Sequence, residues 1–367
     1  MLSTSGRSLC TYLLKIKHIV KFVNASLTFN ERKSNPIITK TDELDSLAIA
    51  KVLLDKFDTL PDARNDEIFW TLKQLVTARE SLVKTHTHYK NKLHSQLIHH
   101  YPNYRKMFTV IDNKISLNFF SKYPSPNLLK GVSKEQLVEE IKANSTRNNA
   151  GKKVNLIFSF VTSYGISDPT YQEERNILIR LLTKWLSDNK QRIEDLEKDI
   201  IDIYNRMNCK LHTMPGLTEV SAAVLLAEIG NIARFESSSK LAQYAGIAPN
   251  SFSSGISTKY VNNRYGNRNL NSLIYFLAVR NICPGNKKCA PSNPIFIEYF
   301  KKKVSEGKTK KQALVCVMRR QVNIIYGILK KGAEYEHPEE LHDKCKAVFL
   351  ERYKKEQEEK ESEKKLE

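Results

Sequence analysis

The sequence predicts a mainly α-helical fold with a partial α/β segment at its N-terminus, a long helical insert and an all-α C-terminal region carrying a helix-hairpin-helix. Three observations lead there. Apolar residues recur at helical spacing over two long stretches, Asp66 to Tyr101 and Glu173 to Asn208. The turn Met214-Pro215-Gly216-Leu217-Thr218 feeds an Ala/Leu-rich run, Ala222 to Ile229, that stops at Gly230. Only Ile19-Val20-Lys21-Phe22-Val23 near the N-terminus reads as a short strand, and one strand cannot make a sheet.

The chain divides into four parts: 1–62, 63–208, 209–332 and 333–367. In the first, Arg7 to Lys17 can form a helix, the strand follows, and Thr41 or Asp42 caps a helix running through Leu54. The loop at Leu60-Pro61-Asp62 closes it. In the second, Phe69, Leu72, Leu75, Val76, Leu82 and Val83 mark the first long helix. Pro102, Pro124 and Pro126 mark breaks, and Val132-Ser133-Lys134-Glu135-Gln136-Leu137 reads as a capped helix start. The polar run Asn144 to Lys153 is expected to be a mobile loop, and Glu31 also reads as loop. Ile177, Leu181, Leu182, Trp185, Leu186, Ile193, Leu196, Ile200 and Ile203 line the second long helix. Two such amphipathic helices fit either an intramolecular antiparallel pair or a dimerising coiled coil. The third part is helical and basic; the fourth is a Glu/Lys helix or a disordered tail.

Charge narrows the partner. The chain of 367 residues carries a formal net charge of +19. From Gly255 to Gly332 sixteen Lys and Arg face only Glu298 and Glu306, whereas the last seventeen residues hold seven Glu and six Lys or Arg. An excess this regional points to a polyanion rather than to lysines scattered for solubility. The cysteines Cys10, Cys209, Cys283, Cys289, Cys316 and Cys345 are scattered and form no disulfide framework, which fits a reducing compartment. Cys283 and Cys289 lack a second ligand pair at zinc spacing. There is no apolar run of about twenty residues to span a membrane, and Met1 to Val23 has no signal-peptide cleavage site.

Two constellations bear on chemistry, beside the Pro215-Gly216-Leu217-Thr218 turn whose glycine and following helix N-terminus suit a DNA phosphate. Asp42 and Asp45 lie three apart on one helix, a spacing that suits Mg²⁺ but equally suits acids that favour a helix N-terminus. Ser253-Ser254-Gly255 could expose a hydroxyl to a phosphodiester, with Lys259, Arg264 and Arg268 downstream to stabilise charge. On local sequence alone it is a turn. Gly266-Asn267-Arg268-Asn269-Leu270 reads as another phosphate-approaching turn feeding a helix.

The ordered set Lys40-Thr41-Asp42-x-x-Asp45, a long helical insert, Met214 to Thr218, Phe235 to Leu241, Tyr244 to Pro249, Ser254-Gly255, Gly266-Asn267-Arg268-x-Leu270, and Glu306-Gly307-Lys308 leading to Arg319-Arg320 resembles the DEDD-type insertion-sequence transposases. The resemblance runs from about Ser5 to Gly332. It implies a RuvC-like (RNase H-like) domain joined to a C-terminal transposase domain with a serine nucleophile, acting as a guide-RNA-directed recombinase. By that resemblance Ser254 is the nucleophile, with Ser253 its neighbouring substitute, and Asp42 and Asp45 are the last two acids of a metal-binding quartet. Lys308, Arg319 and Arg320 join the hairpin and the downstream cations as DNA contacts. Double-stranded DNA, a structural guide RNA, Mg²⁺ and a dimeric or tetrameric assembly are the implied partners, in the bacterial cytoplasm at the nucleoid. The quartet's first Asp and its Glu have no counterpart here, so an N-terminally truncated nuclease domain with impaired strand transfer is expected. The competing reading is a helical protein that binds DNA or RNA without chemistry.

Overall fold

The computed structural model describes residues 4–33, 41–63, 67–144, 150–164, 170–248, 250–254, 257–261, 266–283 and 294–336. In chain order the helices are α1 Thr4–Lys15, α2 Ala25–Lys33, α3 Asp42–Lys56, α4 Glu67–His100, α5 Tyr104–Met107, α6 Lys114–Lys122, α7 Lys134–Ala143, α8 Ala150–Tyr164, α9 Gln172–Arg206, α10 Glu219–Ile229 and α11 Ser238–Tyr244. A two-stranded hairpin, β1 Asn250–Ser254 and β2 Ser257–Val261, precedes α12 Arg268–Ile282, α13 Pro294–Ser305 and α14 Lys310–Lys331. The Glu/Lys tail from residue 337 onward lies outside the described residues, as do Gly255, Arg264, Cys289 and Cys345. The chain is mostly helical, as its periodicity predicts. It separates into two compact units, one of residues 72–208 and 219–224, the other of residues 1–71, 209–218 and 225–367.

Two expectations near the N-terminus are corrected. The strand over Ile19–Val23 reduces to one antiparallel bridge, Lys21 to Asp62. Around it Phe22 N–H donates to the Pro61 carbonyl at 2.9 Å and Ala63 N–H to that of Val20 at 2.7 Å. β-branched residues favour a strand only where a neighbour supplies the ladder. Glu31 is not in a loop but on α2, which starts where the Asn24 side chain accepts the Ser26 N–H at 3.0 Å. α3 begins as expected, with Thr41 accepting the Leu44 N–H.

In the unit of residues 72–208 the two long helices run antiparallel. Arg79 on α4 bonds Glu197 on α9 at 2.7 Å, Asn189 donates to the Leu82 carbonyl at 2.9 Å, and the Tyr89 and Trp185 rings lie 5.2 Å apart. As one number rises the other falls, which is the register of an intramolecular pair. Leu93, Leu97, Ile179, Leu182 and Leu186 are buried in its core with an aromatic group of Tyr101, Phe108, Phe119, Phe120 and Tyr123. Ser133 and Gln136 form a reciprocal capping box at α7. The expected mobile loop at Asn144–Lys153 is corrected in its last four residues. Ala150 to Lys153 belong to α8, which Val154 and Ile157 anchor by burial; residues 145–149 lie outside the described residues.

This core contains titratable groups that set its acid response. Burial holds His94 below the ordinary histidine range, and Arg105 and Lys90 add to it. Burial likewise lowers His100, against the hydrogen bond to the Pro124 carbonyl. Burial pushes the Asp112 carboxyl up, but bonds from Lys90 and His86 outweigh it and leave it below its usual value. Unfolding therefore takes up protons at each site. The histidine contribution is complete above about pH 6.5 and falls as the pH drops toward the folded values; that of Asp112 is lost lower still, below about pH 4. The thermal midpoint of this unit should fall from pH 7 to pH 5, more gently in His94→Gln than in the unaltered chain. A flat profile would contradict the assignment.

In the other unit α14 packs against α11, α12 and α13. Ala313, Val317, Val322, Ile325 and Ile328 form its buried stripe, and Gly332 at φ +65° ends it.

Candidate functional site

Pro215 and Gly216 form a type II turn: Leu217 N–H donates to the Met214 carbonyl at 3.1 Å, and Gly216 has φ +88°. The preceding element is a short 3₁₀ turn, Leu211–Thr213, and α10 follows Thr218. The turn is seated on α12. A β-carbon at Gly216 would meet Asn281 Oδ1 at 3.0 Å and Leu277 at 3.3 Å, and the Arg280 guanidinium donates to the Gly216 carbonyl at 2.8 Å. The glycine thus serves the turn's backbone and its close packing, while Thr218 is exposed.

Ser253 and Ser254 lie on β1 rather than in a turn. The register pairs Ser254 with Ser257, Ser253 with Thr258 and Phe252 with Lys259. The apolar and aromatic residues Phe252, Tyr260 and Val261 favour extended backbone, which Ser-Ser-Gly alone does not signal.

The two ends of the segment carrying this hairpin meet at one place. Asn267 N–H donates to the Tyr244 carbonyl at 2.7 Å. A β-carbon on Gly266 would stand 2.3 Å from the Gly246 α-carbon and nitrogen. The Asn267 side chain caps α12 by accepting the Leu270 N–H at 3.0 Å. Its amide N–H groups donate to Glu228 Oε2 and to the Tyr244 hydroxyl, each at 3.1 Å. Asn269 donates to the other Glu228 oxygen at 3.1 Å, and Asn271 to the Ala245 carbonyl at 2.9 Å. The Gly266-Asn267 turn expected to approach a phosphate is occupied instead with closing the root of the hairpin. Sequence reasoning passed over Glu228; its one signal is an acid inside the apolar run Ala222–Ile229.

The expected cations divide in two. Arg268, Lys308 and Arg320 are exposed. Arg319 donates to the Ser238 carbonyl at 3.1 Å and to the Ser239 hydroxyl at 2.8 Å, and Arg320 lies 4.9 Å from the Tyr299 ring centre. Lys259 stands on β2 opposite Phe252; Arg264 lies outside the described residues.

Asp42 and Asp45 share the first turn of α3. Asp42 is exposed, and Asp45 pairs with Arg32 at 2.6 Å. Among the described residues no three His, Cys, Asp or Glu side chains gather as a cation site. Mg²⁺ is commonly held by one or two carboxylates with waters and substrate phosphates completing its shell, and Asp45 enters such a set only by giving up its pairing with Arg32. Among the described residues no helix is long and apolar enough to cross a membrane.

Two family models match. The model described as transposase of the IS116/IS110/IS902 family covers residues 208–289, which include the Pro-Gly turn, Glu228, the hairpin and α12. The DEDD IS110 transposase model covers residues 1–102 with both acids. The chain is 26% identical over 302 residues to the insertion element IS110 protein of Streptomyces coelicolor, covering 81% of this chain and 72% of that one. It is 25% identical over 295 residues to the insertion element IS116 protein of Streptomyces clavuligerus, covering 79% and 71%. A pilin gene-inverting protein of Moraxella lacunata is 28% identical over 180 residues, 47% of this chain and 54% of its own length.

Proposed function

The chain belongs to the IS116/IS110/IS902 insertion-element transposase family, and on that premise we propose that it cuts and rejoins duplex DNA through the hydroxyl of Ser254. The observation that carries the reading is the hairpin closed at its root by Glu228 and Asn267, inside a region of strong positive charge. Such a closure anchors both ends of the segment that bears Ser254, and in this reading cations of the basic region stabilise charge on a phosphodiester under attack. The serine oxygen bonds to phosphorus, one phosphorus–oxygen bond to deoxyribose breaks, and the sugar oxygen leaves with a proton. The phosphoserine ester keeps a reactive phosphorus for rejoining.

Asp42 and Asp45 are the residues that would hold Mg²⁺ in this reading, where a bound ion would stabilise charge on a phosphodiester. A RuvC-like ancestry for the N-terminal part, a helix-hairpin-helix role for the Pro-Gly turn and a structured guide RNA belong to the same proposal. So does a dimer or tetramer, which the exposed row Ile177, Leu181 and Trp185 on α9 supports.

The test incubates the full chain with a labelled, nicked duplex spanning an element end, with and without RNA transcribed from the element. Strand loss at the nick traps a covalent product. A detergent-resistant adduct should form with the unaltered chain and with Ser253→Ala, and vanish with Ser254→Ala while duplex binding persists. An adduct that survives Ser254→Ala refutes the assignment. Tight duplex binding with no adduct under either RNA condition favours the second reading, a binding protein without chemistry.

A further inference from the structure

We propose that Glu228 is the positioning residue of the serine hairpin: its carboxylate fixes the geometry at which the hairpin leaves α11 and enters α12. This rests on the reading of Ser254 as nucleophile. Glu228 is 5% exposed on a helix whose neighbours from Ala222 to Ile229 are buried and apolar. A buried carboxylate is costly unless its oxygens are hydrogen-bonded. Here each oxygen accepts from a different asparagine, Asn267 and Asn269, both at 3.1 Å.

The orientation of Asn267 is not adjustable. Its Oδ1 is held by the Leu270 N–H at the start of α12, so its amide hydrogens must face Glu228 and the Tyr244 hydroxyl. The residue therefore needs an acceptor at the Glu228 position, and a donor there would oppose it. Asn267 in turn bonds the Tyr244 carbonyl and adjoins Gly266, whose backbone lies against Gly246. One carboxylate thereby ties together the last residue of α11, the first turn of α12 and the crossing of the two chain ends. An apolar side chain would fill the same space but bind neither amide. A glutamine can satisfy Asn267 with its carbonyl if the more exposed Asn269 turns its own amide over.

The test uses the full chain with Glu228→Gln, Glu228→Ala and Tyr244→Phe. Amide exchange is followed in β1 and β2 and, as an internal reference, in α14; adduct formation is timed on the nicked duplex. In Glu228→Ala, hairpin exchange should rise and the adduct rate at saturating DNA should fall, each roughly tenfold, the scale of losing a charge-assisted hydrogen bond. Exchange in α14 and the DNA concentration for half-maximal rate should stay put. Glu228→Gln should be intermediate and Tyr244→Phe mildest, and this ordering stands even where Glu228→Ala fails to fold. Equal loosening of α14 and the hairpin in the glutamine variant would reduce Glu228 to a general stabiliser and overturn the proposal, as would hairpin exchange unchanged in all three. A wild-type chain that makes no adduct rejects the serine reading alone, because the exchange measurement still judges the clamp.

Discussion

Replacing Gly266 by alanine is expected to destabilise the unit containing the hairpin by about 3 kcal/mol or more, at the upper end of overpacking effects. The added β-carbon would lie 2.3 Å from both the α-carbon and the nitrogen of Gly246, and 2.9 Å from the Ala245 carbonyl carbon. All three are backbone atoms, so no rotamer change relieves the overlap. The backbones must part, and parting them breaks the Asn267 to Tyr244 bond and pulls the amide of Asn267 away from Glu228. Gly246→Ala should cost at least about 1–2 kcal/mol, that of holding an L-residue at φ +68°. Gly151→Ala, on α8 with open space around it, should be neutral or slightly stabilising. Denaturant unfolding of the three variants gives the comparison. A Gly266→Ala chain within about 0.5 kcal/mol of the parent, the ordinary scatter of surface substitutions, would mean the two backbones do not meet as described.

What the sequence discloses and what it hides divides by the range of the forces involved. The long helices were legible because apolar spacing is a local code, and Thr41 and Ser133 announced two starts because capping is satisfied within one turn. Whether α4 and α9 pair within one chain or between two was not legible, since the same apolar seam serves both arrangements. Arg79 with Glu197 and Tyr89 with Trp185 decide it, and those pairings span about a hundred residues of chain. The segment Ile19–Val23 has strand composition yet gains only one bridge, because a ladder depends on a partner that composition cannot promise. At the candidate site, sequence located Gly266, Asn267 and the serines but misread the work of the first two. Gly266 is permissive for a phosphate and for a neighbouring backbone alike. Only the position of Gly246 and of Glu228, thirty-nine residues before Asn267, distinguishes them. A lone acid in an apolar run carries no mark of the amides it will meet.

The second large effect expected is on DNA affinity as salt rises. Among the described residues of the basic region, Arg268, Arg280, Lys301, Lys302, Lys308, Lys310, Lys311, Arg320, Lys330 and Lys331 are exposed. If six or more of these neutralise phosphates, raising salt from about 50 to 200 mM should weaken duplex binding by about a thousandfold or more, with a log–log slope near −0.9 per contact. Changing Lys308, Lys310 and Lys311 together to glutamine should flatten that slope by about two to three. Arg319 provides the contrast. Its guanidinium is spent on the Ser238 carbonyl and Ser239 hydroxyl, joining α14 to α11. Arg319→Ala should therefore cost about 1–2 kcal/mol of stability, as loss of charged hydrogen bonds does, while moving the salt slope little. Filter binding across the salt series, run beside thermal unfolding, separates the two groups. A slope that falls by about one with Arg319→Ala and not at all with the triple lysine variant would place the polyanion against the opposite set of cations, because the counterions released count only charges that phosphate replaces.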